Sequence, residues 1–198
     1  LDKFIRMDTV FTAVQYISAA LSGKPYMGVG RNLAYTKTLF FKNKGFASHN
    51  HIMSGDDDLF VNETANAANT AVELRPGSFT VSGPRPGFIS WLQQKKRHMS
   101  TGVFYRSSNK LTIGSYFLSL VLFYLLLVVL YVFQFDGYIL LSAYLLRLLL
   151  QMLIFGKCMQ KFGELDVVWM IPLFDLFAAF VYPLLSLSNL IFKDKTWK

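Results

Sequence analysis

From Tyr116 to Phe133 every residue is apolar or aromatic except Ser119. A run of this length crosses the hydrocarbon of a bilayer as a helix, at about 1.5 Å per residue. Lipid offers no hydrogen bonds to the backbone, so a single crossing segment has to satisfy its amides internally, as a helix does. A second run, Tyr138 to Phe155, is interrupted only by Ser142, Arg147 and Gln151, and Asp136-Gly137 makes a tight break between the two. Lys157 and Lys161 follow, then a third apolar stretch, residues 167–192, with Pro172, Asp175 and Pro183 inside it. The expectation is two to three transmembrane or re-entrant helices over residues 113–198.

The membrane region divides the charge unevenly. Residues 1–112 carry 14 Lys and Arg against 7 Asp and Glu, most of the net +8. A basic soluble part beside a membrane suits anionic headgroups or a phosphorylated ligand, and makes nucleic acid the least favoured partner. Lys95, Lys96, Arg97, Arg106 and Lys110 precede the first span, which puts that side in the cytoplasm. The Asp136 loop has no Lys or Arg and belongs outside. A simple third crossing would leave Lys193, Lys195 and Lys198 outside, against the rule, so the last segment either re-enters or breaks the tendency. Arg147 within a span needs a partner: a lipid-linked phosphate, or, without ligand, snorkelling or pairing with another helix. The single cysteine, Cys158, excludes an internal disulfide and any multi-cysteine metal site. The chain opens on Leu1 without the features of a leader peptide, so a boundary within a longer protein is expected.

Along residues 1–22, Phe4, Met7, Phe11, Val14, Ile17 and Leu21 recur at helical spacing, with Gly23 and Pro25 as a stop. The stripe is expected to pack on a sheet. Leu33-Ala34-Tyr35 and Leu39-Phe40-Phe41 read as short buried segments. A helix over residues 56–68 would carry three aspartates at its positive end. Thr70–Leu74 and Ser78–Ser82 have strand length around a Pro76-Gly77 turn, Pro84 and Pro86 mark a loop, and Ile89–Met99 suits a short helix.

Three motifs carry chemistry. Gly55-Asp56-Asp57-Asp58 clusters carboxylates, which repel one another and raise each other's affinity for protons. Such a group takes a proton from a hydroxyl or holds a cation; an acidic helix cap is its ordinary role. Gln94-Lys95-Lys96-Arg97-His98 gathers an amide, three cations and an imidazole, a set suited to a diphosphate or, equally, to anionic lipid. Gly28-Val29-Gly30-Arg31-Asn32 lets backbone approach a ligand closely, or makes any tight turn. His49-Asn50-His51 lacks matching zinc ligands and reads as a surface loop.

In order and spacing these motifs resemble the family 2 glycosyltransferases, the cellulose- and hyaluronan-synthase-like enzymes. Gly55-Asp56-Asp57 looks like the family's acidic base motif, Gln94-Lys95-Lys96-Arg97-His98 like its Q-x-x-R-W motif, and Gly28 to Asn32 with Lys44-Gly45-Phe46 like its glycine turn and later Gly-Gly-Phe. The resemblance implies an α/β fold, the acceptor-side half of a GT-A-type domain over residues 1–112, joined to C-terminal α-helical transmembrane segments. It implies Asp57 as the general base, with Asp56 as the alternative in a shifted register. It implies donor or diphosphate contacts from Gln94, Lys96, Arg97 and His98, and an acceptor-side turn at Gly28, Gly30, Arg31 and Asn32. His98 stands where relatives carry a tryptophan that helps hold a growing sugar chain, which points away from a processive polysaccharide synthase.

The partners implied are a nucleotide-sugar donor, a lipid-linked or glycan acceptor and the membrane. The cofactor implied is a divalent metal, Mg or Mn, held by an Asp-x-Asp motif in an earlier half of the domain. No Asp-x-Asp precedes the acidic triplet, so residues 1–198 alone are expected to be inactive. A non-catalytic membrane subunit that binds anionic lipid is the alternative from another class.

Overall fold

The computed structural model describes residues 1–191 apart from Met53 and residues 84–86, and leaves aside the side chain of Leu190. The loop expected at Pro84 and Pro86 and the lysines at 193, 195 and 198 lie outside the described residues. Seven α-helices are found among them: α1 (Asp2–Leu21), α2 (Lys37–Lys42), α3 (Asp56–Thr64), α4 (Phe88–Ser100), α5 (Ser107–Val132), α6 (Gly137–Phe162) and α7 (Ile171–Ile191). Three helices are long and apolar enough to cross a membrane: α5, α6, and α7 with the 3-10 turns Leu165–Met170 before it.

No strand occurs among the described residues, which overturns the expected α/β half-domain. The two segments read as strands show why. Pro76–Ser78 is a 3-10 turn closed by Ser78 N–H to the Arg75 carbonyl at 2.9 Å. At the end of the first segment a side chain stands where a ladder partner would: Glu73 Oε1 accepts from Arg75 N–H at 2.8 Å. Val81 is fully open to solvent. Two segments this short, with no third strand beside them, lack the partner edge that a sheet needs. The apolar stripe of α1 is real, but it packs on helices: Met7, Val10 and Phe11 join Ile171, Phe174, Ala178, Ala179 and Tyr182 of α7 in one core. Leu39-Phe40-Phe41 sits in the short helix α2, capped by the Thr36 hydroxyl, and Phe41 is exposed, not buried.

Local chemistry sets the helix ends. Gly23 takes φ +77° after α1, a left-handed stop that glycine adopts without steric cost. Asp136, read as a break, is the N-cap of α6; its carboxylate accepts from Tyr138 N–H at 2.8 Å and Ile139 N–H at 3.2 Å. Gly163 at φ +76° ends the same helix.

Two buried carboxylates tie the helices together. Asp8 of α1 accepts from Lys95 Nζ at 2.7 Å and Trp91 Nε1 at 3.2 Å, both on α4, and from the Tyr182 hydroxyl of α7. Lys95 also donates to Thr12 Oγ1 at 3.0 Å and lies 4.9 Å over the Tyr182 ring. Asp175 of α7 takes both arms of Arg147, at 2.5 and 3.0 Å, together with Gln151 Nε2 at 2.6 Å and the Tyr124 hydroxyl at 2.6 Å. Arg147 is therefore paired with another helix, as the ligand-free alternative expected. An ion pair desolvated in this way is costly to break, because removing one member strands the other. Asp175→Leu is expected to lower the melting temperature of the detergent-solubilised protein sharply. The double replacement Arg147→Leu/Asp175→Leu should recover most of the loss in the same measurement.

Candidate functional site

Gly55 opens α3 in the left-handed region, φ +78°, and its α-carbon abuts Thr101 so tightly that a β-carbon would lie 2.3 Å from Thr101 Cγ2. No other residue type meets both conditions, and the contact joins the acidic helix start to the end of α4. The three aspartates then fill the first turn of α3, where the helix dipole favours negative charge.

The glycine turn closes over this acidic end. Gly28 N–H donates to Asp58, and Gly30 N–H donates to Asp57 Oδ2 at 2.6 Å. A β-carbon on Gly30 would come within 2.9 Å of that same oxygen, so the close approach depends on glycine there. Asp57 Oδ1 accepts from Asp58 N–H at 3.0 Å, which leaves the carboxylate held on both oxygens and half-buried. Asp56 is exposed. An open cleft of about 490 Å³ is lined by Asp56 and Asp57 together with Gly30, Leu33, Ala34, Tyr35 and Phe46. Tyr35 stacks on Phe40 at 5.5 Å and leans on Phe60 at 4.8 Å, so this wall is aromatic and supported from behind.

Asp58 points the other way, into the protein. It is buried, and its carboxyl is pushed up to about 7 by burial first and by the charge of Asp57 second; donation from Tyr105 and Gly28 opposes the shift. Burial raises Tyr105 as well, which keeps its hydroxyl protonated as a donor. Asn62 fixes this corner: it donates to the Tyr26 carbonyl at 2.8 Å and accepts from Arg106 N–H at 2.8 Å, linking the glycine turn to the start of α5. Neither Asn62 nor Tyr105 carries a sequence signal, because their partners are distant in the chain.

The cationic helix contributes unequally. His98 lies near enough to feel Asp57 and Arg31. Its imidazole is held below the usual range by packing around it first, then by Arg97 and Lys95, with Arg31 adding and Asp57 opposing. Arg97 is exposed beside it, and Arg31 is exposed and donates to Ser82 Oγ. Asn32 is exposed and closes the 3-10 turn Gly30–Asn32, its N–H donating to the Val29 carbonyl at 2.8 Å. Gln94 is half-buried and Lys96 passes its carbonyl to Asn189 Nδ2 at 2.9 Å; neither lines the cleft. Lys95 is committed to Asp8. The acid end of α3 and the glycine turn thus meet; His98 lies within electrostatic reach of Asp57, and none of Gln94, Lys96, Arg97, His98, Arg31 and Asn32 is among the residues that line the cleft.

No group of three His, Cys, Asp or Glu side chains able to hold a metal ion occurs among the described residues. The resemblance assigns its divalent metal to an earlier half of the domain, outside residues 1–198. His49, expected in a surface loop, is buried, with Ser48 Oγ 2.9 Å and Glu63 Oε1 3.4 Å from Nδ1; His51 is exposed. Comparisons with protein-family models, curated proteins and solved structures find no match.

Two outcomes follow from this geometry. Asp58 holds its proton more tightly folded than unfolded, so between about pH 4 and 7 the native state binds more protons and stability falls as pH rises. Chemical denaturation across that range should show the slope in the wild type and a flatter profile in Asp58→Asn. Gly55→Ala should destabilise by more than the ~1 kcal/mol of backbone strain alone, because the Thr101 contact adds to it; its denaturation midpoint measures this.

Proposed function

We propose that this chain supplies the acceptor-activating side of a membrane-bound inverting glycosyltransferase, working at the cytoplasmic face on a lipid-linked or glycan acceptor. The observation that carries the proposal is Asp57, clamped by the glycine turn at the wall of one open cleft, with His98 within electrostatic reach of it. Asp57 is the base: it takes the proton of an acceptor hydroxyl, whose oxygen bonds to the anomeric carbon of the donor as the bond to the diphosphate breaks. Arg97 and Arg31, exposed near His98, supply positive charge for the departing diphosphate. A neutral His98 donates a hydrogen bond there without competing for the base. Tyr35 and Phe46 offer an apolar wall against which a sugar ring can lie. The nucleotide-binding part and the metal of the resemblance belong, in this proposal, to a segment other than residues 1–198.

The test uses membranes containing the full-length protein and a panel of radiolabelled uridine- and guanosine-diphosphate sugars. Incorporation into lipid or glycan is expected from one donor, and Asp57→Asn should lower it about 10²- to 10⁴-fold, the usual range for a lost general base. Donor binding by that variant should be largely retained. Undiminished transfer removes Asp57 from the mechanism. No transfer from any donor, with vesicle binding that depends on anionic lipid, favours the non-catalytic subunit. The length of the product separates single-sugar transfer from processive synthesis.

A further inference from the structure

The three apolar helices are not equivalent. Protein buries 39 % of the α7 span and 6 % of each of the other two. A third crossing beside α5 and α6 would cover the far half of their hairpin. Yet from residue 125 to residue 146, around the Asp136 turn, only Leu127, Leu140 and Tyr144 are even partly covered. The contacts of α7 reach the middle of the hairpin and stop there: Tyr182 meets Phe117 at 5.4 Å, and Asp175 meets Tyr124, Arg147 and Gln151.

Its other flank carries the two polar helices. Phe4 and Phe11 of α1 lie 5.5 and 5.3 Å from Phe174, and Trp91 of α4 lies 6.1 Å from Phe177. At its end Asn189 reaches the Lys96 carbonyl. Just before its start, Arg6 of α1 pairs with Glu164 and Asp166 in solvent. The segment before α7 therefore sits beside a charged group of α1, and its end beside the backbone of α4. What remains open is one stripe at helical period: Leu173, Leu176, Phe180, Leu184, Leu187 and Ile191. It adjoins the uncovered apolar flanks of α5 and α6.

We propose that α7 does not cross the bilayer but lies along its cytoplasmic leaflet, with this stripe among the acyl chains and α1 and α4 stacked on its back. Two crossings then remain, α5 and α6. The chain then leaves Ile191 on the same side as α4, which removes the conflict that a simple third crossing raised with the positive-inside tendency. The occupant of the stripe is lipid hydrocarbon, because the stripe is all apolar and adjoins surfaces that only lipid can cover.

The test reads depth, not activity, so it is independent of the transferase proposal. In a Cys158→Ser background, the full chain in lipid vesicles carries a spin label at Leu173→Cys, Phe180→Cys or Leu187→Cys, with Leu126→Cys on α5 as a control. Depth is measured from the ratio of oxygen to nickel-chelate accessibility. The expected result is a common shallow depth for the three α7 labels and a deep control. Depths stepping by about 10 Å from label to label, the rise of seven helical residues, overturn the proposal. Three water-exposed labels overturn it too, and a water-exposed control removes the membrane assignment itself. As a second measurement, a membrane-impermeant thiol reagent should reach Ser188→Cys from the same side as Lys44→Cys; opposite sides reject the in-plane helix.

Discussion

Asp8 is a carboxylate taken out of water where three helices meet. Alone, such a charge is too expensive to bury; here Lys95, Trp91 and Tyr182 surround it with donors from α4 and α7. The geometry that satisfies it leaves little freedom. Lys95 has to face α1, and three and four residues further along α4 the helical period turns His98 and Met99 to their own places, His98 toward the acid end of α3. The rotational setting of α4, and with it the direction of His98, is decided by an ion pair one turn earlier on the same helix.

α7 links this hub to the two long apolar helices α5 and α6. Tyr182 is one of the Asp8 donors, and seven residues earlier Asp175 receives Arg147, Gln151 and Tyr124. The two buried carboxylates work in opposite senses: at one α7 is the donor, at the other the acceptor. Between them Ala178 and Ala179, and beside Asp175 Phe174, pack without polar atoms in the side chains. The small alanines let neighbouring backbones come close, so packing and polar contacts fix the same arrangement.

Much of the helical framework was legible. Periodicity located α1 within a residue or two, unbroken apolar runs located α5 and α6, and the aspartate triplet after a glycine marked the start of α3. The strands were misread because propensity describes a segment, whereas a strand exists only with a neighbour to pair with. Within the candidate site, the glycine turn and Asp57 were legible as separate motifs, and their contact is the new fact. Lys95 was indistinguishable from Lys96 and Arg97 in a run of cations. What separates it is Asp8, 87 residues earlier, and no local pattern announces a partner so remote. Asn62 and Tyr105 were hidden for the same reason. Whether α7 crosses or re-enters stayed open in the sequence, since hydropathy counts apolar residues without saying whether protein or lipid covers them.

The clamp on Asp57 limits how anything can approach it. A carboxylate offers four lone-pair directions. The amides of Gly30 and Asp58 occupy one on each oxygen. Two directions remain, and the side chain cannot rotate to present others without giving up a backbone partner. The hydroxyl that the proposed transfer brings to Asp57 would therefore meet an acceptor already aimed, with the direction of approach set by the peptide frame as much as by the carboxylate.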